Sequence, residues 1–255
     1  MFISTVIYAQ FLLCSLLYII VAAPFFAVTM LFTLIFRRKR HAAAVRFFIL
    51  WYGRCIVRIG WFPWVKLIFD DRCEKEPEAA LYVFNHRSAS DPFLASMISY
   101  KTISQVVNDW PMRLPVLGWF ARLGSYIDIK NMSYDDVCAR IKLQILEEGS
   151  NVMSFPEGTR SGNRSMNQFY STVFRVAKEI QCPVIPAIIV GNEEIPNRKF
   201  KMKPGVVMMR RLPPIPAETV ATVSHFKLKQ MVHEIIRQES AAMDAELDKI
   251  TGAVK

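Results

Sequence analysis

The chain has 255 residues, enough for one α/β domain with a full hydrophobic core plus a short additional segment. Hydrophobic residues make up 52% of it and the formal net charge is +10, so some apolar residues must lie outside an ordinary soluble core, and the partners should be anionic. Neither a nucleic-acid-binding module nor zinc-ligand spacing among the five cysteines is recognisable, which excludes a nucleic-acid partner and a structural metal site and leaves membrane lipids or phosphate-bearing substrates.

Residues 1–36 contain no Asp, Glu, Lys or Arg and are followed at once by the basic run 37–40, which predicts a hydrophobic helical membrane anchor. A helix of this length would measure roughly 54 Å, whereas the hydrocarbon layer is roughly 30 Å thick, so a straight perpendicular span is excluded. Pro24 lies inside the segment and predicts either one tilted, kinked span or a short hairpin that re-enters one leaflet. A cleavable signal peptide is disfavoured because the first ten residues carry no positive charge.

The basic run predicts that the rest of the chain lies on the cytoplasmic side of the membrane, the inner membrane if the source is bacterial. The odd number of cysteines, five, predicts reduced thiols, which fits the same compartment. The segment 37–76 mixes aromatic with basic residues, and Arg54 and Arg58 share a helix face. Two interpretations stay open for it: a helix lying in the lipid headgroup layer, or an amphipathic helix packed on the following domain.

Residues 77–255 alternate short apolar runs with helical patterns, which predicts an α/β domain with a mixed β-sheet flanked by helices. The predicted strands are 80–85, 103–107, 125–129, 151–155, 184–190 and 205–211. The predicted helices are 92–99, 134–148, 170–180 and 224–250.

The first chemical motif, residues 85–91, follows the strand that ends at Phe84. In a continuous helix His86 and Asp91 would lie about 140° apart, but a strand, a loop and a helix start can bring them together. Asp91 would then hold one imidazole nitrogen and leave the other as a general base near neutral pH. The alternative is that Asp91, which precedes Pro92, only caps the next helix.

The second motif, residues 155–161, follows an apolar strand and contains Glu157, Gly158, Thr159 and Arg160. A tight glycine loop with an arginine suits a phosphate, because the guanidinium forks onto phosphate oxygens and loop amides add donors. Glu157 would orient Arg160 or bind an acceptor hydroxyl. The alternative is a surface turn with solvated charges.

Two further segments accompany these motifs. A block from Pro111 to Lys130 lies between the first and the second motif, and Val184-Ile185-Pro186 follows the second. In order and rough spacing the set resembles the 1-acylglycerol-3-phosphate acyltransferase family. The resemblance implies a membrane enzyme that transfers a fatty acyl group from acyl-CoA or acyl carrier protein to a lysophospholipid, without an acyl-enzyme, a metal or a prosthetic group.

The resemblance also implies a role for each matching residue. His86 would deprotonate the acceptor hydroxyl while Asp91 holds it. Glu157, Thr159 and Arg160 would bind the glycerol phosphate on a loop shaped by Gly158, and Pro186 would help to position the acyl donor. The family's second motif commonly ends in Ile-Asp-Arg, whereas this chain reads Ile127-Asp128-Ile129-Lys130, so Lys130 would take over the arginine's phosphate contact as a point charge.

Lysophosphatidic acid is the leading predicted acceptor, and another lysolipid with a larger headgroup or an amino group is its rival. A hydrolase with Ser88 or Ser161 as nucleophile is disfavoured because the sequence has no GxSxG turn. A non-catalytic lipid-binding membrane protein is the remaining alternative.

Overall fold

The long apolar segment forms one continuous helix in the computed structural model, which describes residues 2–37, 40–99 and 101–252. Helix α1 covers Phe2–Phe36 with Pro24 inside it, so the chain makes no hairpin turn within this segment. Arg38 and Lys39, the middle of the predicted basic run, lie outside the described residues. Helix α1 is long and apolar enough to cross a membrane, and only 6% of its most apolar window is buried, which makes it a candidate membrane anchor.

Helix α2 (His41–Cys55) lies antiparallel along α1. The Ser15 hydroxyl is 2.9 Å from the Tyr52 hydroxyl near one end of the pair, and Thr33 Oγ1 is 3.0 Å from His41 Nδ1 near the other. The helix predicted in segment 37–76 is therefore packed on α1 and on the body of the protein. The outer face of α1 remains exposed and apolar.

In the described residues, seven strands form one sheet in the order β1-β7-β6-β2-β5-β3-β4. The strands are β1 (Val65–Asp71), β2 (Leu81–Phe84), β3 (Ile103–Val107), β4 (Ile127–Asp128), β5 (Asn151–Ser154), β6 (Val184–Val190) and β7 (Gly205–Arg211). Strand β7 is antiparallel to β6 and parallel to β1, while the other neighbouring pairs are parallel. The mixed α/β sheet is as predicted, and edge strand β1 was not predicted; its residues come from the segment placed ahead of the domain.

Two hydrophobic clusters cover the two faces of the sheet. One joins Val152 and Ile188 to the inner faces of the C-terminal helices, and the other joins Phe84 and Phe155 to residues of α1 and α2. Strands β2, β5 and β6 are buried along their whole length, as expected for strands with helices on both sides.

The remaining helices are α3 (Asp91–Ala95), α4 (Asp109–Arg113), α5 (Pro115–Leu123), α6 (Tyr134–Lys142), α7 (Thr172–Ile180), α8 (Ala217–Thr222) and α9 (His225–Thr251). Two π-helical turns, Ile56–Gly60 and Leu143–Glu147, extend α2 and α6. The four predicted helices are confirmed, although α3 ends earlier than expected; α4, α5 and α8 were not predicted.

Five of the strands (β2, β3, β4, β5 and β6) end at the same edge of the sheet because they run in one direction. Ligands of such sheets bind beyond the carboxyl ends of the strands. Both chemical motifs begin at this edge, the first after β2 and the second after the neighbouring β5.

Candidate active site

Asn85 fixes the direction in which the chain leaves strand β2. Its side-chain amide donates to the Ile189 carbonyl at 2.8 Å, and its oxygen accepts from the Ile189 amide at 2.9 Å. Asn85 is 2% exposed, so these two bonds are shielded from water and couple the loop to β6. The backbone position of the next residue, His86, is therefore fixed relative to β6.

His86 and Asp91 meet as predicted, with Nδ1 of the imidazole 2.7 Å from Oδ2 of the carboxylate. Asp91 is fully buried at the start of α3, and its carboxylate points back into the loop rather than capping the helix. The other donors to this carboxylate are the amides of Arg87 and Ser88, both on Oδ2, and the side-chain amide of Asn192 on Oδ1. Four donors thus hold one buried charge, which fixes the loop around it.

The outer side of the His86 ring is open. Because Nδ1 faces a carboxylate, it carries the proton, and Nε2 is left with its lone pair. Within the described residues Nε2 has no hydrogen-bond partner, and the side chain is 19% exposed. The ring also packs on Phe155, with centroids 4.7 Å apart, which limits its rotation. The imidazole is therefore oriented, accessible and able to take a proton.

Glu157 joins the second motif to the first. Its Oε1 accepts from the His86 amide at 2.7 Å, and its Oε2 accepts from the Asn167 amide at 2.8 Å. The residue is 3% exposed, and both oxygens serve the backbone. This differs from the predicted arrangement: among the described residues the Glu157 carboxylate bonds to these two amides rather than to the Arg160 guanidinium, and it holds the two loops together.

Burial raises the pKa of the Glu157 carboxyl to about 7, against the opposing effect of its two amide donors and of His86. Because the pKa is higher in the folded protein than in the unfolded chain, this group stabilises the fold most below pH 4.5, its ordinary value. That contribution, about 3 kcal/mol, is lost as the pH rises through about 7.

We expect Glu157→Gln to remove this titration, since glutamine carries no ionisable proton in this range. The free energy of unfolding in detergent should be measured for both proteins from about pH 5 to about pH 8. The advantage of the native protein should shrink as the pH rises. A constant or growing advantage would contradict the assignment.

The loop after β5 is shaped by Gly158 and lies against the first motif. Gly158 has φ +71°, and a Cβ there would come within 2.7 Å of the Tyr170 ring, so only glycine fits. The Ser161 amide donates to the His86 carbonyl at 2.8 Å, and the Gly162 amide donates to the Arg87 carbonyl at 3.1 Å. The two loops therefore pack against each other and together form one wall of the candidate site.

The Arg160 guanidinium lies over the ring of Phe200, with Cζ 4.7 Å from the ring centroid. Within residues 2–37, 40–99 and 101–252 it has no acidic partner. Arg198 lies beside it and donates to the carbonyls of Arg160 and Ser161, at 3.2 and 2.6 Å. Thr159 is exposed at the rim. A guanidinium without an acidic partner can bind a phosphate.

Lys130 and Pro186 stand apart from this wall. Lys130 is exposed after β4, three strands from β2 and so roughly 14 Å across the sheet. Pro186 is buried in β6 opposite Val83, on the face shared with Val184 and Ile188 rather than at the open edge. The structure gives Pro186 the position of a core residue, which differs from the predicted role beside the acyl donor.

Sequence reasoning missed the ion pairs that hold the His86 loop from behind. Arg87 is 3% exposed, with Nη1 2.6 Å from Glu193 and Nη2 2.7 Å from Asp244 of α9. Burial lowers the pKa of this guanidinium, but the two carboxylates prevail and raise it above its ordinary value. No local sequence signal links Arg87 to a residue 157 positions away.

Neither candidate nucleophilic serine is available for covalent catalysis. Ser88 is 1% exposed and its hydroxyl donates to the carbonyls of Ile195 and Pro196. The Ser161 hydroxyl donates to the Asn163 carbonyl at 2.9 Å. Within the described residues neither hydroxyl hydrogen-bonds to a histidine ring that could act as its general base, which argues against the hydrolase alternative.

Comparisons with known proteins point to one family. The Acyltransferase family model matches residues 69–190. A chloroplastic 1-acyl-sn-glycerol-3-phosphate acyltransferase of Arabidopsis thaliana is 28% identical over 69% of this chain and 50% of its own length. The enzyme of that name from Haemophilus influenzae is 23% identical over 84% of this chain and 89% of its own.

The same fold occurs in the crystal structure of the 1-acyl-sn-glycerophosphate acyltransferase PlsC from Thermotoga maritima. The TM-score is 0.69 at 21% identity, over 94% of this chain and 98% of that one. The chain spans about half the length of the plant relative. With both motifs, their spacing and the sheet in agreement, the chain carries an acyltransferase domain over residues 69–190 and is similar to the 1-acyl-sn-glycerol-3-phosphate acyltransferases.

Proposed function

We propose that this protein transfers a fatty acyl group from a thioester to the free hydroxyl of 1-acyl-sn-glycerol 3-phosphate and so forms phosphatidic acid. The observation that carries the proposal is the His86–Asp91 contact of 2.7 Å with the outer imidazole nitrogen open. The adjoining loop presents Arg160, a cation without an acidic partner in the described part of the chain. A base and a phosphate-binding cation on one wall are what this reaction needs.

The proton moves through His86 in both halves of the reaction. Nε2 takes the proton of the acceptor hydroxyl as its oxygen attacks the thioester carbonyl carbon. The buried Asp91 carboxylate stabilises the imidazolium that forms, because it lies at Nδ1 in a site of low dielectric. When the carbon–sulfur bond breaks, the imidazolium returns the proton to the leaving thiolate. No acyl-enzyme is formed.

Arg160 would bind the phosphate of the acceptor and place its hydroxyl at Nε2. A guanidinium suits this task because it offers parallel donors to two phosphate oxygens. Thr159 would add a contact at the rim, whereas Lys130, roughly 14 Å across the sheet from β2, is left out of this proposed contact. The net charge of +10 favours both substrates, since the acceptor and the acyl carrier are anionic.

The acyl donor would be acyl-CoA or acyl carrier protein, both of which present the acyl group as a thioester. Every step uses groups of the chain and of the two substrates, so the proposal includes no metal or prosthetic group. The exposed apolar face of α1 would hold the enzyme in the bilayer that contains its acceptor. The catalytic edge would face the cytoplasm, where its five free thiols stay reduced.

The test is an acyl-transfer assay on membranes that contain the full-length protein. Labelled acyl-CoA or acyl carrier protein is offered with lysophosphatidic acid, with lysolipids of larger headgroup and with a lyso-aminolipid. His86→Ala should lower kcat by at least about 10²-fold, the loss typical of a general base, while the protein stays in the membrane fraction.

His225→Ala is the matched control, because His225 begins α9 and contacts Phe226 rather than either motif. It should retain native turnover. Equal turnover in the His86 variant would favour a non-catalytic lipid-binding protein. A stronger preference for another lysolipid would change the proposed acceptor but not the proposed acyl-transfer mechanism.

A further inference from the structure

Phe200 supplies the surface on which the Arg160 guanidinium rests. The distance of 4.7 Å from Cζ to the ring centroid is that of a cation–π contact. The Phe200 side chain remains 56% exposed, so burial in the core does not account for its position. The ring instead contacts the Arg160 guanidinium, a cation of the proposed phosphate site.

The backbone of Phe200 adopts a conformation that a bulky residue rarely takes. Its φ is +56°, in the left-handed region that favours glycine or asparagine. A turn built on Asn197 enforces this conformation. The Phe200 amide donates to the Asn197 carbonyl, and the Asn197 side-chain oxygen accepts from the amides of Lys199 and Lys201, all at 2.9 to 3.0 Å. Glycine would fit this turn with less strain, and the chain carries an aromatic residue instead.

The anchor helix supports the same turn. The Tyr8 hydroxyl of α1 donates to the Phe200 carbonyl at 2.7 Å. The Ser4 hydroxyl oxygen accepts from the Met202 amide at 3.0 Å. The first two turns of α1 therefore brace the loop that carries the ring.

We propose that Phe200 is a positioning residue for Arg160, and that it keeps the guanidinium turned toward the phosphate of the acceptor. The inference rests on the proposed function and extends it to a residue outside both motifs. A ring beneath the guanidinium plane leaves the N–H groups at its edge free to donate to phosphate oxygens. It also restricts a flexible side chain before the substrate arrives, which lowers the entropy lost on binding.

The effect should appear in binding of phosphorylated acceptors and not in the chemical step. Phe200→Leu keeps an apolar side chain but removes the π-system. We expect the apparent KM for lysophosphatidic acid to rise between about 3-fold and about 30-fold, with kcat within about 2-fold of the native value. The KM for a monoacylglycerol without phosphate should not change. Phe200→Tyr, which keeps the π-system, should restore the native KM.

Phe200→Gly separates the ring from the backbone. Glycine suits a φ of +56°, so this variant should unfold at the native temperature or above it. Its KM for lysophosphatidic acid should nevertheless rise as in the leucine variant. A native KM in the glycine variant would show that only the turn matters and would overturn the proposal.

Two further variants complete the set. Tyr8→Phe removes the hydroxyl that braces the turn and should raise the same KM by a smaller factor. Phe226→Ala is the matched control, since Phe226 is 58% exposed on α9 and contacts Lys229 there rather than Arg160. It should keep the native KM.

The exposed ring and its neighbouring lysines could instead contact lipid, and the phosphate-free acceptor tests this. If the Phe200 variants lose both acceptors equally and also lose binding to vesicles, the ring serves the bilayer and the proposal is overturned. Failure of the proposed function would look different, because the native protein would then acylate no lysolipid at all.

Discussion

Replacing Asp91 with asparagine is expected to lower kcat by about 10²-fold to about 10⁴-fold while the protein stays folded. The carboxylate is fully buried and lies 2.7 Å from His86 Nδ1. Asparagine has no charge to stabilise the imidazolium. If its amide group faced the ring, the proton would move to Nε2 and the base would be lost altogether.

Asn192 allows the effect of the lost charge to be separated from the effect of a changed His86 tautomer. Its side-chain amide donates to Asp91 Oδ1, and among the described residues its own buried oxygen has no hydrogen-bond partner. In the Asp91→Asn variant a flip of Asn192 would offer that oxygen to the new amide, which keeps the tautomer but not the charge. Adding Asn192→Asp returns a carboxylate one contact away and should recover part of kcat. Turnover within about 10-fold of the native value in the single variant would contradict the role of the charge.

Asp244→Ala is expected to lower the free energy of unfolding by about 3 kcal/mol, because it leaves the buried Arg87 guanidinium with one acidic partner instead of two. Both Nη atoms of Arg87 bond to this carboxylate, at 2.8 and 2.7 Å. Glu193 remains and limits the loss. Since Arg87 follows His86 directly, kcat should fall as well.

Asp248→Ala gives the matched comparison, one turn further along α9. Asp248 pairs with Arg164, whose side chain is 54% exposed, so its removal should cost clearly less stability than the removal of Asp244. Adding Arg87→Met to Asp244→Ala should restore part of the stability, since the fully buried guanidinium is then gone and Glu193, which loses its partner, keeps partial access to water. Chemical unfolding in detergent gives the free energy of unfolding of the native protein, the two aspartate variants and the double variant. Equal losses for the two aspartates would contradict the importance of burial.

The strands could be predicted where their patterns are local. Strands β3, β6 and β7 begin and end at the predicted residues. Strand β6 is a continuous apolar run, whereas β3 and β7 have short apolar runs that are interrupted by Ser104-Gln105 or end in Arg210-Arg211. Strand β1 was missed because it is a partly buried edge strand inside a region of mixed aromatic and basic residues. Helix α5 was missed because it begins at Pro115 and is only nine residues long.

The long apolar helix, the α/β class and the two loops could be predicted from the amino-acid sequence, since a stretch without charges, hydrophobic periodicity and motif order are local properties of the chain. The contacts that these parts make depend on the folded structure. It turned Glu157 inward to join the loops, placed Pro186 in the core, and brought Asp244 and Phe200 to the site from distant parts of the chain. Those contacts depend on which strands are neighbours and which way a loop turns, and no short stretch of sequence encodes that information.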